Sequence, residues 1–224
     1  MIVPCAGYGQ RFGAPYPKEL HLLADGTSVI DRSLAPVVEF ATKRSALLRL
    51  VVVIRPHKTQ LVDYLARYSG LFELVFVYQS ERSGPELSGA IRAALSVAVG
   101  PTALVLPDQL TYDSEAGGRV EHAFEHLSRH SLSIVAAPTD DPARLAQEGA
   151  LLIRPEGEHH VVVAAAEKPA AAENFNAAWM ILLASAEMRH VLVEVVQPGG
   201  IERSIGAPVT LVKDFVNANR VSDV

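Results

Sequence analysis

The chain has 224 residues, of which 49% are hydrophobic and 20% are charged, and its formal net charge at pH 7 is −5. This length allows one sizeable hydrophobic core, and no linker-like stretch marks a boundary, so we expect one domain over residues 1–224. No window approaches the ~20 uninterrupted apolar residues of a membrane span, and the acidic balance gives no basic surface for nucleic acid. We therefore expect a cytoplasmic protein without a membrane or nucleic-acid partner.

Apolar runs alternate with amphipathic stretches along the chain. Strands are predicted at 2–6, 48–54, 71–78, 103–106 and 132–137, with helices at 28–43, 57–68, 85–99 and 116–130 between them. Later strands near 149–154, 160–166, 175–183 and 208–213 have a more antiparallel character. The pattern predicts an α/β fold, a Rossmann-like three-layer α/β/α arrangement with a mostly parallel mixed sheet and a small antiparallel subregion.

A glycine-containing segment follows the first predicted strand directly, in the order Ala6-Gly7-Tyr8-Gly9-Gln10-Arg11, with Pro17-Lys18 a few residues later. Glycines at a strand end let backbone N–H groups approach an anion closely. Arg11 offers a fixed fork to phosphate oxygens, and Lys18 offers a mobile point charge. The segment therefore predicts a polyphosphate site, the alternative being a tight surface turn with two solvated cations.

Two better-known glycine motifs do not fit this segment. A P-loop requires a serine or threonine directly after its lysine, but Glu19 follows Lys18. A dinucleotide-binding fingerprint requires a glycine one residue earlier than Gly13 and an uninterrupted helix, which Pro15 and Pro17 prevent.

Three segments together carry a resemblance to a known family. They are residues 2–11, the run Pro17-Lys18-Glu19-Leu20, and residues 27–34. This opening resembles that of the sugar-phosphate nucleotidyltransferases, in the pattern of the glucose-1-phosphate thymidylyl- and uridylyltransferases. The resemblance implies a GT-A-like fold in which residues 1–138 bind a nucleoside triphosphate and residues 139–224 bind a phosphorylated acceptor.

An aspartate follows the fourth predicted strand, in Leu106-Pro107-Asp108. A carboxylate at a strand end suits a divalent metal, although a turn-capping role is the alternative. The resemblance assigns Asp108 to Mg²⁺. It also places Asn217 where the family carries a second metal-binding aspartate. The second ligand is then Asn217 itself, whose neutral oxygen binds magnesium less well than a carboxylate, or Asp214 from three residues earlier, or the site relies on Asp108 and phosphates.

The expected acceptor and base contacts rest on shorter matches. Glu167-Lys168-Pro169 is similar to the segment that contacts the acceptor in the family. Asn176 opens the strand that follows it, which resembles the family's Asn-Ala-Gly strand with Ala178 in place of the glycine. Gln79 and Gly84 stand where the family reads the base and begins a helix beside it. The alternative for Glu167-Lys168-Pro169 is a solvated surface turn, and the alternative for Gln79 and Gly84 is a polar loop and a helix N-terminus that need no ligand.

The resemblance implies a Mg²⁺-dependent enzyme that condenses a nucleoside triphosphate with a sugar 1-phosphate and releases pyrophosphate. A cytidylyltransferase for a non-sugar phosphate or phosphonate is an alternative, as is a nucleotide-sensing homologue with impaired catalysis. The oligomeric state stays open, with a homodimer as one option. His122, His126 and His130 recur every four residues and are expected on a solvated helix face without a partner from another segment.

Overall fold

The computed structural model describes residues 1–9, 12–44, 47–157 and 159–218. Each of the nine predicted strands is present to within a residue or two. In chain order the strands are β1 (Ile2–Pro4), β2 (Leu48–Ile54), β3 (Phe72–Tyr78), β4 (Thr102–Val105), β5 (Gln109–Leu110), β6 (Leu132–Pro138), β7 (Gly149–Glu156), β8 (His159–Glu167), β9 (Ala177–Ala184), β10 (Pro208–Leu211) and β11 (Val216–Asn217).

The helices include all four that were predicted, with different boundaries. They are α1 (Val29–Thr42), α2 (Gln60–Leu65), α3 (Leu87–Leu95), α4 (Ala116–His126), α5 (Pro142–Leu145) and α6 (Val191–Val195). The predicted helix over 57–68 is divided, because short 3-10 turns flank α2 on both sides. Helix α1 begins where the Ser28 hydroxyl accepts a hydrogen bond from the Asp31 amide at 3.1 Å, which satisfies one of its free N–H groups.

Nine strands form one mixed sheet in the order β3-β2-β1-β4-β9-β6-β10-β8-β7, and β5 pairs with β11 separately. Strands β3, β2, β1 and β4 run parallel, as do β6 and β10. The sheet is less parallel than predicted, because β9 is antiparallel to both β4 and β6, and β7 and β8 form an antiparallel hairpin. The mixed α/β architecture is confirmed.

Alternate residues of the central strands are buried on opposite faces of the sheet. Val3 and Cys5 pack in one apolar cluster with α1 and α4, whereas Ile2 and Ala6 pack in another with α3 and α6. Helices therefore cover both faces, as a sheet with two apolar faces requires. Cys5 is fully buried, in line with a small core hydrophobe. Among the described residues no helix is both long and apolar enough to cross a lipid bilayer.

The sheet topology brings several strand ends to one rim. Because β1 and β4 are parallel neighbours, with Ile2 opposite Leu104, the segments that follow them emerge side by side. Strands β9 and β7 begin at the same rim, and β8 ends there, since Gly149 is paired with Glu167. The predicted phosphate segment, Asp108 and the Glu167-Lys168 segment are thus collected at one edge of the sheet.

The histidines of α4 are not simply solvated, because β8 supplies the partner that sequence analysis did not foresee. The His126 ring centroid lies 4.6 Å from that of His122 and 5.3 Å from that of His159 on β8. Burial lowers the pKa of His126 to about 4, and the neighbouring imidazoles His122, His159 and His130 add to the shift.

We predict that the His126 imidazole, followed by NMR, titrates with a pKa of about 4 rather than the ordinary 6.5. Between these values the unfolded chain binds more protons than the folded chain, so this group should lower stability as the pH falls through that window. The free energy of unfolding of His126→Gln should fall less steeply there. Titration of His126 near 6.5 would contradict the packing described here.

Candidate active site

The rim encloses a cleft of about 740 Å³ into which Gly7, Tyr8 and Gly9 project from the end of β1. Gly9 has φ +65°, a backbone conformation that favours glycine. The Gly9 carbonyl accepts a hydrogen bond of 3.0 Å from the Phe12 amide. The geometry suits the anion cradle predicted from sequence. Arg11, the predicted phosphate fork, lies outside the described residues.

A residue that sequence analysis missed supports this turn from behind. Arg55 follows β2, and its Nε donates to the Ala6 carbonyl at 2.9 Å. Its guanidinium carbon lies 4.6 Å from the centroid of the Tyr8 ring, which also stacks on His57 at 5.6 Å. Ala6 itself is buried and contributes its carbonyl to this bond. The arrangement fixes the exit of β1 and leaves the Tyr8 ring largely exposed at the cleft.

Lys18 and Asp108 meet in the cleft although 90 residues separate them in sequence. Lys18 begins a 3-10 turn over Lys18–Leu20, and its Nζ lies 2.5 Å from Oδ2 of Asp108. Both side chains remain partly exposed, at 14% and 21%. The cation and the predicted metal-binding carboxylate are thus placed together in the cleft.

The residue after Lys18 anchors that turn in the protein interior. Glu19 is 1% exposed, and its Oε1 accepts a 2.6 Å hydrogen bond from Nζ of Lys58, which is 2% exposed. The second carboxylate oxygen of Glu19 is buried without a hydrogen-bond partner among the described residues. Charges this deeply buried are tolerated only when paired. The pair therefore fixes the backbone that presents Lys18.

The predicted acceptor residues Glu167 and Lys168 line the same cleft at the end of β8. Lys168 adopts φ +48°, an uncommon conformation for a residue with a Cβ, and its amide donates to the Glu148 carbonyl at 2.8 Å. Partial desolvation raises the pKa of Glu167, and Lys168 opposes that shift. Trp179 lies beside them. It also packs closely against Gly149, since a Cβ added to Gly149 would lie 2.0 Å from Nε1 of Trp179.

A carboxylate that sequence analysis did not single out completes this group. Glu148 precedes β7, and both of its oxygens accept from Nδ2 of Asn217, at 2.9 and 3.1 Å. Burial raises the pKa of Glu148, the Asn217 hydrogen bond opposes that shift, and nearby Asp108 contributes to raising it. Asn217 lines the cleft, in contrast to Asp214, whose exposed side chain is not part of the lining.

Gln79 does not project into the cleft as a reader of the base would. It is 6% exposed, and its Nε2 donates to the carbonyls of Gly84 and Glu86 at 2.7 and 2.9 Å. Gly84 has φ +89° and is likewise absent from the lining, whereas Glu86 and Leu87 are part of it. Gln79 and Gly84 therefore shape the loop that brings the start of α3 to the cleft.

Asn176 also differs from its expected role in acceptor contact. Its side chain is engaged with the backbone of Ile153, accepting from the amide at 2.8 Å and donating to the carbonyl at 3.0 Å. Ala178, which replaces a glycine of the family pattern, is fully buried between strands. Because strand residues alternate in direction, the next residue, Trp179, faces the cleft instead.

The oxygen atoms around Asp108 fit a divalent cation. No group of three or more His, Cys, Asp or Glu side chains among the described residues is arranged to hold a metal. However, the amide oxygens of Gln109 and Asn217 are buried in the same cleft, and no described residue donates a hydrogen bond to either of them. Carboxylate and amide oxygens are the hard ligands that Mg²⁺ accepts, usually in small number alongside phosphates and water.

Comparison with known proteins identifies the fold. No protein-family model and no curated protein matches the sequence. Among solved structures, apo UDP-glucose pyrophosphorylase superposes with a TM-score of 0.78 at 16% identity, covering 99% of this chain and 93% of that one. UDP-glucose pyrophosphorylase from Acinetobacter baumannii gives 0.74 at 16%, with 98% and 88% covered. The inositol-1-phosphate CTP transferase from T. maritima gives 0.70 at 14%, with 100% and 90% covered.

These similarities extend over nearly the whole chain and confirm the expected resemblance at the level of the fold. The chain adopts the fold shared by these sugar-phosphate nucleotidyltransferases, with identities too low to transfer substrates.

The buried ion pair behind Lys18 yields a stability prediction. Lys58→Met leaves the Glu19 carboxylate buried and unpaired, which should lower the free energy of unfolding by about 3–5 kcal/mol in urea unfolding. Glu19→Gln combined with Lys58→Met should recover much of this loss, because no buried charge remains.

A matched control is Lys43→Met. Lys43 also pairs with a glutamate, Glu39, at 2.7 Å, but at the protein surface, so its loss should leave stability nearly unchanged. Equal effects of Lys58→Met and Lys43→Met would refute the anchoring role of the buried pair.

Proposed function

We propose that the protein is a nucleotidyltransferase that joins a nucleoside triphosphate to a sugar 1-phosphate and releases pyrophosphate. The observation that carries this proposal is the meeting of Lys18 and Asp108 at 2.5 Å beside the Gly7–Gly9 turn. The fold supports it, since structures named UTP-bound UGPase and UDP-glucose pyrophosphorylase complexed with UDP-glucose share it at TM-scores of 0.73 and 0.74.

In the proposed reaction an oxygen of the acceptor phosphate attacks the α-phosphorus in line. A new P–O bond forms, the bond from the α-phosphorus to the bridging oxygen breaks, and its electron pair leaves with pyrophosphate. No covalent enzyme intermediate is required, so the protein contributes positioning and charge stabilisation.

The residues before 138 would form the triphosphate side. The Gly7–Gly9 amides and Arg11 would hold phosphate oxygens, and Lys18 would turn from Asp108 to offset charge around the α-phosphate. Asp108 would then be available to a divalent cation, which neutralises phosphate charge when bound. Glu19 and Lys58 would act as positioning residues, because they fix the turn that carries Lys18.

The residues after 138 would form the acceptor side. Lys168 would orient the acceptor phosphate, whose approach to an anionic triphosphate is otherwise repelled. Glu167 would accept hydrogen bonds from acceptor hydroxyls, and the buried Trp179 forms the adjacent wall. These contacts suit a phosphorylated polyol generally. A cytidylyltransferase acting on a non-sugar phosphate is therefore the second candidate, supported by the likeness to the inositol-1-phosphate CTP transferase.

The proposed reaction is tested by pyrophosphate release with Mg²⁺. The four ribonucleoside triphosphates and dTTP are combined with sugar 1-phosphates, other phosphorylated alcohols and phosphonates. Lys18→Ala and Asp108→Ala should each reduce turnover on the order of 10²–10³ if they act on transition-state charge. Lys43→Ala, on an exposed lysine remote from the cleft lining, should leave turnover unchanged.

Near-normal turnover in both cleft variants would refute the roles proposed for Lys18 and Asp108. Tight nucleotide binding with no pyrophosphate release across the panel would favour the nucleotide-sensing alternative.

The acceptor side is tested separately with Gly149→Ala. The added Cβ would lie 2.0 Å from Nε1 of Trp179, so the indole must shift at the acceptor wall. We expect a higher KM for the acceptor and an unchanged affinity for the triphosphate. Gly118→Ala on α4, where the new Cβ meets open space, is the matched control and should change neither. A loss of triphosphate affinity in Gly149→Ala would contradict this division of the cleft.

A further inference from the structure

The contact between Glu148 and Asn217 fixes the direction of the asparagine amide. A carboxylate can only accept hydrogen bonds, so the group facing both oxygens of Glu148 must be the NH₂ of Asn217, at 2.9 and 3.1 Å. The amide oxygen of Asn217 must then point away from Glu148. That oxygen is buried and has no hydrogen-bond donor among the described residues.

A second buried amide oxygen without a hydrogen-bond donor among the described residues lies across the small β5–β11 sheet. Gln109 is directly opposite Asn217 in the register of this pair, so the two side chains share one face. Gln109 is 3% exposed, and its Nε2 donates to the Trp179 carbonyl at 3.3 Å. Its Oε1 is buried and receives no hydrogen bond from the part of the chain that the structure describes, and the residue lines the cleft next to Asp108.

The charge of the cleft indicates what these oxygens would bind. Its described lining contains five carboxylate side chains, those of Glu19, Glu86, Asp108, Glu148 and Glu167, and two lysines, Lys18 and Lys168. Of the five, Glu19 is already compensated by Lys58. An anionic triphosphate would be repelled by the excess unless a cation entered with it. Two carboxylates and two amide oxygens are a suitable ligand set for a hard divalent cation.

We propose that Glu148 supplies the second carboxylate of a divalent-cation site with Asp108, replacing the carboxylate that position 217 lacks. Asn217 holds Glu148 in place through its NH₂ and turns its own oxygen, with that of Gln109, toward the site. The inference rests on the proposed function in one respect, that the bound cation serves the triphosphate.

Cation binding is measurable without turnover, using Tb³⁺ alone as the probe. Trp179 is the single tryptophan of the chain and lines the same cleft, so Tb³⁺ bound there should emit when tryptophan is excited. Glu148→Gln preserves an acceptor for the Asn217 amide but removes the charge. We expect it to weaken Tb³⁺ binding on the order of tenfold or more, as Asp108→Asn should.

The decisive variant moves the carboxylate back to position 217. Asn217→Asp in the Glu148→Gln background should restore Tb³⁺ affinity to near the wild-type value, because the number of carboxylates is again two. Glu86→Gln, which removes a different carboxylate from the cleft lining, is the matched control and should leave Tb³⁺ affinity nearly unchanged. Circular dichroism and thermal unfolding establish that each variant is folded.

The outcomes separate this inference from the proposed function. If Glu148→Gln binds Tb³⁺ like the wild type while Asp108→Asn does not, Glu148 is not a cation ligand, and the proposed reaction still stands if pyrophosphate is released. If Glu148→Gln weakens Tb³⁺ binding but Asn217→Asp fails to restore it, the replacement is refuted. If the wild type shows no saturable Tb³⁺ emission, the cation site itself is refuted. Absence of pyrophosphate release with intact Tb³⁺ binding would remove the proposed function alone.

Discussion

The ion pair between Lys18 and Asp108 depends on almost every other feature of the site. It forms because β1 and β4 are parallel neighbours, so the segments that follow them leave the sheet at the same rim. Lys18 is presented to Asp108 by a 3-10 turn whose next residue, Glu19, is paired with the buried Lys58. A lysine on an exposed surface loop would not be held toward Asp108 in this way. The Lys18 ammonium group thus lies beside the Asp108 carboxylate. In the proposed reaction phosphate would bind Lys18 and a metal ion would bind Asp108, so the two side chains would separate.

Local patterning predicted much of the fold. The central strands are continuous apolar runs that bury both faces, and this signal is contained in each segment of sequence. The sequence of a single segment does not show which other strand it pairs with. The reversal of β9 between β4 and β6 depends on contacts between segments about 40 to 80 residues apart in the chain. The predicted helix over 57–68 was located correctly, but its division into a 3-10 turn, the short helix α2 and a second 3-10 turn was not predicted.

Where a residue type and a strand end coincide in the sequence, as for the Gly7–Gly9 turn and Asp108, the structure brings the residues together in one cleft. The side-chain amides are placed differently from the expectation. Gln79 and Asn176 stand at suggestive positions, but backbone carbonyls and amides occupy their side chains. A motif cannot show whether an amide meets a ligand or the protein itself. Glu148 was missed because its partner, Asn217, lies 69 residues away.

Glu148 and Asn217 also bear on whether the chain is a catalyst or a sensor. Asn217 alone weakens the case for catalysis, since a neutral oxygen binds Mg²⁺ less well than a carboxylate. The structure places the Glu148 carboxylate beside Asn217. The Nδ2 of Asn217 donates a hydrogen bond to each of its two oxygens and so determines its position. Ala178, the other departure from the family pattern, is buried and does not face the cleft. Under the proposal that Glu148 is a cation ligand, neither departure removes a group that the chemistry requires, because Glu148 would carry the charge that position 217 lacks.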